Sequence, residues 1–217
     1  MPPRLASGLG ALALVLGAAS AWANDQPPLV PTRDVAVTYR VQDPPSQQDP
    51  QGATHVLHMY FDAADQRVHI DVSGQPGFLV IDHKGGLVTA VDDATHSYEQ
   101  GHAPPGMGEL MFRTPDLQLV RRGTATVAGQ PCTVWEMSAA GQVQGDACIT
   151  ADGVVLRGQP ANAPTPNTGI VATSVTYGPQ RASLFVAPAG YQRIQPNLPP
   201  PGPPPGPPAG APAPAKP

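Results

Sequence analysis

The chain has 217 residues and a formal net charge of −4 at pH 7, with 30 prolines and 23 glycines but only 13% charged and 5% aromatic residues. This density of proline and glycine argues against long uninterrupted helices. The acidic balance argues against a nucleic-acid-binding protein, since contact with phosphates requires a basic face.

Residues 1–23 have the features of a secretory signal peptide that is removed by cleavage. Arg4 supplies the positive start, Leu9–Ala19 forms a short apolar core, and Ala21 and Ala23 are small residues before the cleavage site. The alternative is a transmembrane anchor, but the apolar run falls short of the roughly 20 residues that cross a bilayer. The sequence therefore predicts export to the periplasm, with the extracellular medium as the alternative, and no transmembrane segment after cleavage.

The opposite end, Pro199–Pro217, contains only proline, glycine, alanine and one lysine. Chains this rich in proline favour the extended polyproline II conformation and have little surface to bury. We interpret the segment as a disordered, low-complexity tail, and a spacer or a ligand for a partner in the cell envelope is the alternative. One folded domain over residues 24–198 remains, which is long enough for a sizeable core.

Between these ends, short segments of alternating apolar and polar residues are separated by turn-forming residues, a pattern that predicts β-strands. In chain order the predicted strands are Val35–Gln42, Thr54–Asp62, Arg67–Val72, Phe78–Asp82, Leu87–Asp92, His96–Gln100, Leu117–Val127, the two arms of a hairpin about Ala140, Gly153–Arg157 and Ile170–Tyr177. Gly101–Asp116 is predicted to be a loop or lid, and Ser183–Gly190 a closing segment.

The short turns between neighbouring strands indicate that the strands run antiparallel. A sheet of about ten strands must curl or close, because strand twist accumulates and free edges are a liability. The predicted fold is therefore mainly β: a single curved antiparallel sheet, or half-barrel, with little helix and a concave face.

One face of the second to fourth predicted strands carries the best candidates for the concave side of this sheet. These residues are Leu57, Met59, Phe61, Val68, Ile70, Leu79 and Ile81. The simplest interpretation is a hydrophobic core. The alternative makes them the wall of a ligand site, in which the flexible side chain of Met59 adapts to the shape of an apolar chain.

The two cysteines, Cys132 and Cys148, are predicted to form a disulfide in the oxidising compartment that export implies. A hairpin centred on Ala140 would place them opposite each other on one face, within bonding reach. A redox-active pair is the alternative, but such pairs have Cys-x-x-Cys spacing, which is absent here.

All six histidines lie in the first half of the domain, which suggests a zinc or copper site as a further hypothesis. They are His55, His58, His69, His83, His96 and His102. Their spacing does not favour such a site, because His55 and His58 point to opposite faces of a strand and His69 shares a face with Arg67 and Asp71 that is expected to be solvated. We therefore predict neither a metal nor another cofactor.

Two charged pairs are further candidates for chemistry. Asp92 and Asp93 fit a turn better than a pair of catalytic acids. Arg121 and Arg122 are adjacent on a strand, so that at most one of them faces a cavity and contacts an anionic headgroup. Motifs of serine hydrolases, phosphate-binding loops, haem attachment and zinc proteases are absent from the sequence. The sequence therefore predicts no catalytic residue and no enzymatic activity.

Three segments together resemble an uncharacterised exported branch of the LolA-like half-barrel superfamily of periplasmic lipoprotein carriers. They are Leu79–Gln100, Gly123–Trp135 with its Val-Ala-Gly-x-x-Cys sequence, and Ala182–Gln192 with its Leu-Phe-x-x-Pro-x-Gly-Tyr sequence. The resemblance implies a curved antiparallel sheet wrapped over helical segments, with an apolar concavity that holds acyl chains in the best-known members. No catalytic residue carries over. This chain lacks the amphipathic helices that form a lid, and Gly101–Asp116 is its only candidate for one.

These observations favour a non-enzymatic periplasmic protein that binds or carries a lipid or an acylated protein on its concave face. The first alternative is a structural or interaction protein of the envelope that acts through its proline-rich tail. The second alternative is a metal-binding protein built on the histidines.

Overall fold

The computed structural model describes residues 26–47, 49–50, 52–102 and 116–195. The predicted signal peptide, the predicted tail and all but the ends of the predicted lid lie outside the described residues. The proposed roles of these three segments therefore stay predictions. Among the described residues, no helix is long and apolar enough to cross a membrane.

The described residues form one open sheet of twelve strands. The strands are β1 (Val35–Gln42), β2 (Thr54–Asp62), β3 (Arg67–Val72), β4 (Phe78–Asp82), β5 (Leu87–Asp92), β6 (Ser97–His102), β7 (Gln118–Val127), β8 (Gln130–Ala139), β9 (Gln142–Ile149), β10 (Val155–Pro160), β11 (Gly169–Tyr177) and β12 (Gln192–Ile194). Their order across the sheet is β12-β6-β5-β4-β3-β2-β1-β11-β10-β9-β8-β7. This architecture confirms the prediction of a mainly β fold with a single large antiparallel sheet and little helix.

Strand β1 lies at the junction of two meanders. Strands β2 to β6 follow one another on one side of it, and β11 to β7 follow in reverse chain order on the other. All neighbouring strands are antiparallel except β12, which pairs with β6 in parallel through Gln192–Ile194. The short strand β12 was not predicted, because its sequence has no alternating pattern.

All register shifts among the described strand pairs involve the pairing of β1 with β11 or pairs within β7 to β10. They lie between Thr38 and Tyr39, Arg121 and Gly123, Met137 and Ser138, and Val155 and Arg157. Each shift is a bulge, which bends a strand and increases its local twist. Strands β1 to β6 pair with one another without a shift. Bending of the sheet is therefore concentrated on one side, and the other side presents regular rows of side chains.

The disulfide between Cys132 and Cys148 joins β8 to β9, with a Cα–Cα distance of 5.4 Å. The predicted register was wrong, since Cys148 lies opposite Val134. The turn is centred between Ala140 and Gly141, both with positive φ, and the bulge after Met137 shifts the register further. The bond still forms because residues two apart on a strand share a face, which brings a diagonal pair within reach.

A continuous core crosses the junction between the two meanders. One cluster joins Val35, Val37 and Phe61 of β1 and β2 to Cys148 and Leu156 of β9 and β10. A second cluster contains Leu119, Trp135, Ala147 and Ile149. The first cluster holds the two meanders together, and the second packs β7, β8 and β9 against one another.

The face of β3 that was predicted to be solvated is covered by a short 3₁₀ helix, Ala182–Phe185. His69 is only 6% exposed there, and its Nδ1–H donates to the carbonyl oxygen of Leu184 at 2.7 Å. Its ring stacks on Phe78 with 4.4 Å between ring centroids. The expectation of a solvated His69 was wrong because the covering segment is 115 residues away in the chain, beyond any local pattern.

Burial lowers the pKa of His69 below its ordinary value of 6.5, since the charged imidazole loses hydration. The unfolded chain takes up a proton at this residue near pH 6.5 while the folded protein does not. The stabilising contribution of neutral His69 is therefore present above that pH and is lost as the pH falls through the folded-state pKa.

We expect the free energy of unfolding to fall between about pH 7.5 and about pH 5.5, and the fall to be smaller in His69→Gln. Urea denaturation at the two pH values measures both. The exposed His102 provides the control, and His102→Gln is expected to keep the wild-type pH dependence. Equal pH dependence in His69→Gln and the wild type would contradict this account.

Candidate functional site

A cavity of about 380 Å³ lies against one face of β1 to β4. Its lining residues are Leu29, Val30, Pro31, Val35, Val37, Tyr39, Leu57, Met59, Phe61, Val68, Ile70, Leu79, Ile81, His83, Gly153, Val154, Val155 and Ile170. All but Tyr39, His83 and Gly153 have aliphatic, phenyl or thioether side chains. The cavity is therefore suited to hydrocarbon.

The wall is built from rows of residues that lie opposite one another on neighbouring strands. Val37, Met59, Ile70 and Leu79 form one row across β1 to β4. A second row consists of Val35, Phe61, Val68 and Ile81. Paired residues of antiparallel strands point to the same face, and every second residue of a strand does so too. The period-2 pattern of the sequence therefore places the rows on one side of the sheet.

The seven residues predicted for the concave face all line this cavity. They are Leu57, Met59, Phe61, Val68, Ile70, Leu79 and Ile81. Phe61 and Val68 are also buried in the core, whereas Leu57, Met59, Ile70 and Leu79 are only half-buried. The structure brings the seven together, and their contact with a ligand stays a prediction.

Two polar side chains in the wall were not predicted. Tyr39 is buried, and its hydroxyl donates to the carbonyl oxygen of Val155 at 2.7 Å. Burial raises the pKa of the Tyr39 hydroxyl well above its usual range, so the group stays neutral. His83 lies 6.5 Å from Phe61 between ring centroids. Tyr39 continues the alternation of Val35 and Val37, a signal that was present in the sequence.

The cavity is covered by residues 26–34, here called the N-terminal strap. Leu29, Val30 and Pro31 supply the lining on this side. Leu29 packs against the cluster that contains Trp135, and Val30 packs against the cluster that contains Val35. Sequence reasoning placed the lid at Gly101–Asp116 instead. The strap was missed because it has no apolar period and directly follows the predicted cleavage site.

Polar contacts hold the far end of the strap on the turn between β9 and β10. The amide of Thr32 donates to the carbonyl oxygen of Asp152 at 2.9 Å. The Asp152 carboxylate accepts a hydrogen bond from Tyr177 at 3.1 Å and another from Thr150, and it lies 3.6 Å from the guanidinium of Arg33. Arg33 also stacks over the Tyr177 ring at 4.2 Å. These contacts fix the strap at Thr32 and Arg33.

Gly153 allows the strap to approach the sheet closely. Its φ is +89°, and a Cβ atom there would lie 2.8 Å from the carbonyl oxygens of both Pro28 and Val30. Any side chain would therefore push the strap away from the turn. The Arg33–Asp152 ion pair contributes at most about 1 kcal/mol, because such pairs at the surface are weakened by solvent. Close backbone packing and the apolar contacts of Leu29 and Val30 thus hold most of the strap.

The histidines do not come together. His69 and His83 lie on opposite faces of the sheet, and His55 pairs with Asp43 at 2.9 Å. Among the described residues, no group of three or more histidine, cysteine, aspartate or glutamate side chains is arranged to hold a metal ion.

The charged pairs singled out in the sequence have ordinary partners. The Asp92 carboxylate accepts hydrogen bonds from the backbone amides of its own turn. Asp93 accepts one from the hydroxyl of Tyr191. Arg122 pairs with Glu136 at 2.6 Å, so it makes no contact with the cavity.

Comparison with known proteins gives only remote structural likenesses. No protein-family model matches the chain, and no curated protein matches it. An uncharacterised conserved protein from Thermus thermophilus is 12% identical, with a TM-score of 0.49, and the match covers 76% of this chain and 91% of that one. MucB in the Pseudomonas aeruginosa MucA/MucB complex is 13% identical, with a TM-score of 0.46, over 74% of this chain and 58% of that one.

MucB solved in complex with the MucA(peri) segment gives 14% identity and a TM-score of 0.45, over 72% of this chain and 55% of that one. The match thus spans a little over half of the MucB chain. Since all three TM-scores lie below 0.5, the function proposed below rests on this chain's own residues.

We expect Gly153→Ala to release the strap from the sheet. The new methyl group meets two carbonyl oxygens at 2.8 Å, and the amide of Thr32 then loses its bond to Asp152. Hydrogen exchange over residues 26–34 measures the release as faster exchange.

Gly74→Ala is a matched control, because Gly74 has a similar φ of +85° with no atom within 4 Å of the added Cβ. Both variants carry the cost of a positive φ, about 1–2 kcal/mol. The account fails if exchange over residues 26–34 is the same in the two variants.

Proposed function

We propose that this chain is a non-enzymatic binding protein that accommodates a hydrocarbon chain between the sheet and the N-terminal strap. This hydrocarbon belongs to a lipid or to an acylated protein. The observation that carries the proposal is the cavity of about 380 Å³ whose wall is made of paired rows of aliphatic, phenyl and thioether side chains. Its volume lies in the range of small-molecule sites in proteins.

The energetics favour an apolar ligand over a polar one. Each methylene group moved from water into such a cavity contributes about 0.8 kcal/mol. The Tyr39 hydroxyl is already bonded to Val155, so it offers no donor to a ligand. Met59 stands in the middle of a row, where its unbranched thioether adjusts to chains of different shape. The cavity therefore discriminates by apolarity and length.

The lining residues support a role without chemistry. They include no carboxylate, thiol, serine or lysine among the described residues. Imidazole and phenol groups occur once each, as His83 in the turn after β4 and Tyr39 in β1. We accordingly propose no reaction and no cofactor.

We further propose that the mature protein works in the periplasm and belongs to an exported branch of the LolA-like superfamily. The disulfide between Cys132 and Cys148 supports an oxidising compartment. The single open sheet around an apolar cavity supports the superfamily, with residues 24–198 as its domain. In place of the helical lid of the carriers, the strap covers the cavity.

Binding of the uncharged fluorescent probe N-phenyl-1-naphthylamine, and its displacement by dodecanoic acid, test the proposal. We expect saturable binding to the wild type and at least about tenfold weaker binding to Met59→Trp, because the indole occupies the middle of the cavity. The matched control is Val56→Trp on the same strand, since Val56 is 40% exposed and lies on the other face. Its affinity is expected to stay at the wild-type value.

Urea denaturation confirms that each variant is folded before binding is measured. Leu79→Trp fills the end position of the same row if Met59→Trp is unstable. Absence of saturable probe binding to the wild type, or equal weakening in Val56→Trp, would rule out the cavity as the binding site.

A further inference from the structure

Two arginines flank one residue on the face of the sheet opposite the cavity wall. Arg40 of β1 and Arg157 of β10 both lie opposite Val171 of β11. Neighbouring strands are about 4.8 Å apart, so the two arginine backbones are separated by roughly 10 Å. Arg40 follows Tyr39, and Val171 follows Ile170, so both point away from the cavity that Tyr39 and Ile170 line.

Both arginines line a recess of about 210 Å³ beside the loop that connects β10 to β11. Gln159, Asn167 and Thr168 contribute its polar residues. The loop is held in place by a hydrogen bond from Gln159 Nε2 to the carbonyl oxygen of Pro166 at 3.0 Å. The recess is therefore a formed feature with two cationic side chains and neutral polar neighbours.

The environment of these two arginines differs from that of three other arginines in the protein. Arg33, Arg67 and Arg122 each lie within 3.6 Å of a carboxylate. Arg40 and Arg157 make neither an ion pair nor a hydrogen bond through their side chains with any described residue. None of the described residues that line the recess is acidic.

An anion between the two guanidinium groups would complete this arrangement. The chain has a net charge of −4, so two unpaired positive charges on one small surface are a local exception. A guanidinium presents a planar fork of donors that matches the oxygens of a phosphate. Two guanidinium groups on either side of a recess bind a tetrahedral oxyanion better than a single guanidinium does.

Two glycines expose the backbone atoms of the recess. Gly158 and Gly169 come from the two strands that meet there, and both line it. A Cβ atom on Gly169 would lie 2.2 Å from the carbonyl oxygen of Gly158, so a side chain cannot be accommodated at that position. The floor is therefore backbone, with the charged side chains at its sides.

We propose that Arg40 and Arg157 form a binding site for an oxyanion of the phosphate class. The anion is either free phosphate or the phosphate of a lipid headgroup. Ile170 lines both the recess and the apolar cavity, but Arg40 and Arg157 lie on the face of the sheet opposite the cavity wall, so the anion site does not depend on the function proposed above. If the anion is a headgroup, this face lies against a membrane surface while the strap side stays open to solvent.

The test compares the full chain with the double variant Arg40→Gln/Arg157→Gln. The control is Arg181→Gln/Arg193→Gln, which removes the same charge from two exposed arginines outside the recess. Calorimetric titration with inorganic phosphate and sedimentation with phosphatidylglycerol vesicles are both done at low ionic strength, because such contacts are screened by salt. We expect at least about tenfold weaker binding in the first double variant and little change in the second.

The two probes separate the sources of the anion. Binding of phosphate by the wild type supports a free ion, and binding to vesicles alone supports a headgroup. No binding of either probe, or equal weakening in the two double variants, would overturn the proposal, since net charge alone would then explain the result. Arg40, Arg181 and Arg193 are exposed and Arg157 is half-buried. Surface substitutions change stability by about 0.5 kcal/mol or less, and urea denaturation verifies that each variant is folded.

Discussion

The structure depends on one constraint: a single sheet with an extended apolar face has no second layer to cover it. In β1 to β4, two rows of four residues each present aliphatic, phenyl and thioether groups on the same side. Leaving this surface in water would cost about 25 cal/mol for each Å². The sheet bends around this apolar face, and the strap covers the hollow between them. A cavity is the result, because the strap contributes only Leu29, Val30 and Pro31 and does not fill the hollow.

The two meanders of the sheet contribute differently to the cavity. Strands β1 to β4, which pair with one another without a register shift, provide the rows of the wall. The strands β7 to β11 carry the disulfide and the turn that anchors the strap. The crosslink between Cys132 and Cys148 stabilises the hairpin next to this anchor by about 3 kcal/mol in the chain-entropy model. The crosslinked hairpin thus supports the turn that contains Asp152 and Gly153, whereas the strap itself is held by a few contacts. Local opening is expected where a segment is held by few contacts, as the strap is.

Much of this organisation was predictable from local pattern. The bounds of β1 to β5 and the seven wall residues follow from strict period-2 alternation, which the fold preserves. Deviations arose where the backbone turned at unexpected residues. Strand β6 begins directly after His96 and β10 begins two residues after Gly153, and His96 and Gly153 both have positive φ. The burial of His69 and the covering role of the strap were not predictable, because both depend on contacts more than 100 residues apart in the chain. The disulfide was predicted from the wrong register, and it formed because diagonal neighbours share a face.

The most direct test of the central claim is methyl NMR with a spin-labelled fatty acid such as doxyl-stearic acid. A chain in the cavity brings the label close to the methyl groups of Met59, Ile70 and Ile170, whose signals should broaden. Val143 and Ile194, which are 53% and 43% exposed, should keep their signals. Broadening of the exposed methyl groups without an effect on the cavity would contradict the account, because the fatty acid would then bind the surface and not the hollow beneath the strap.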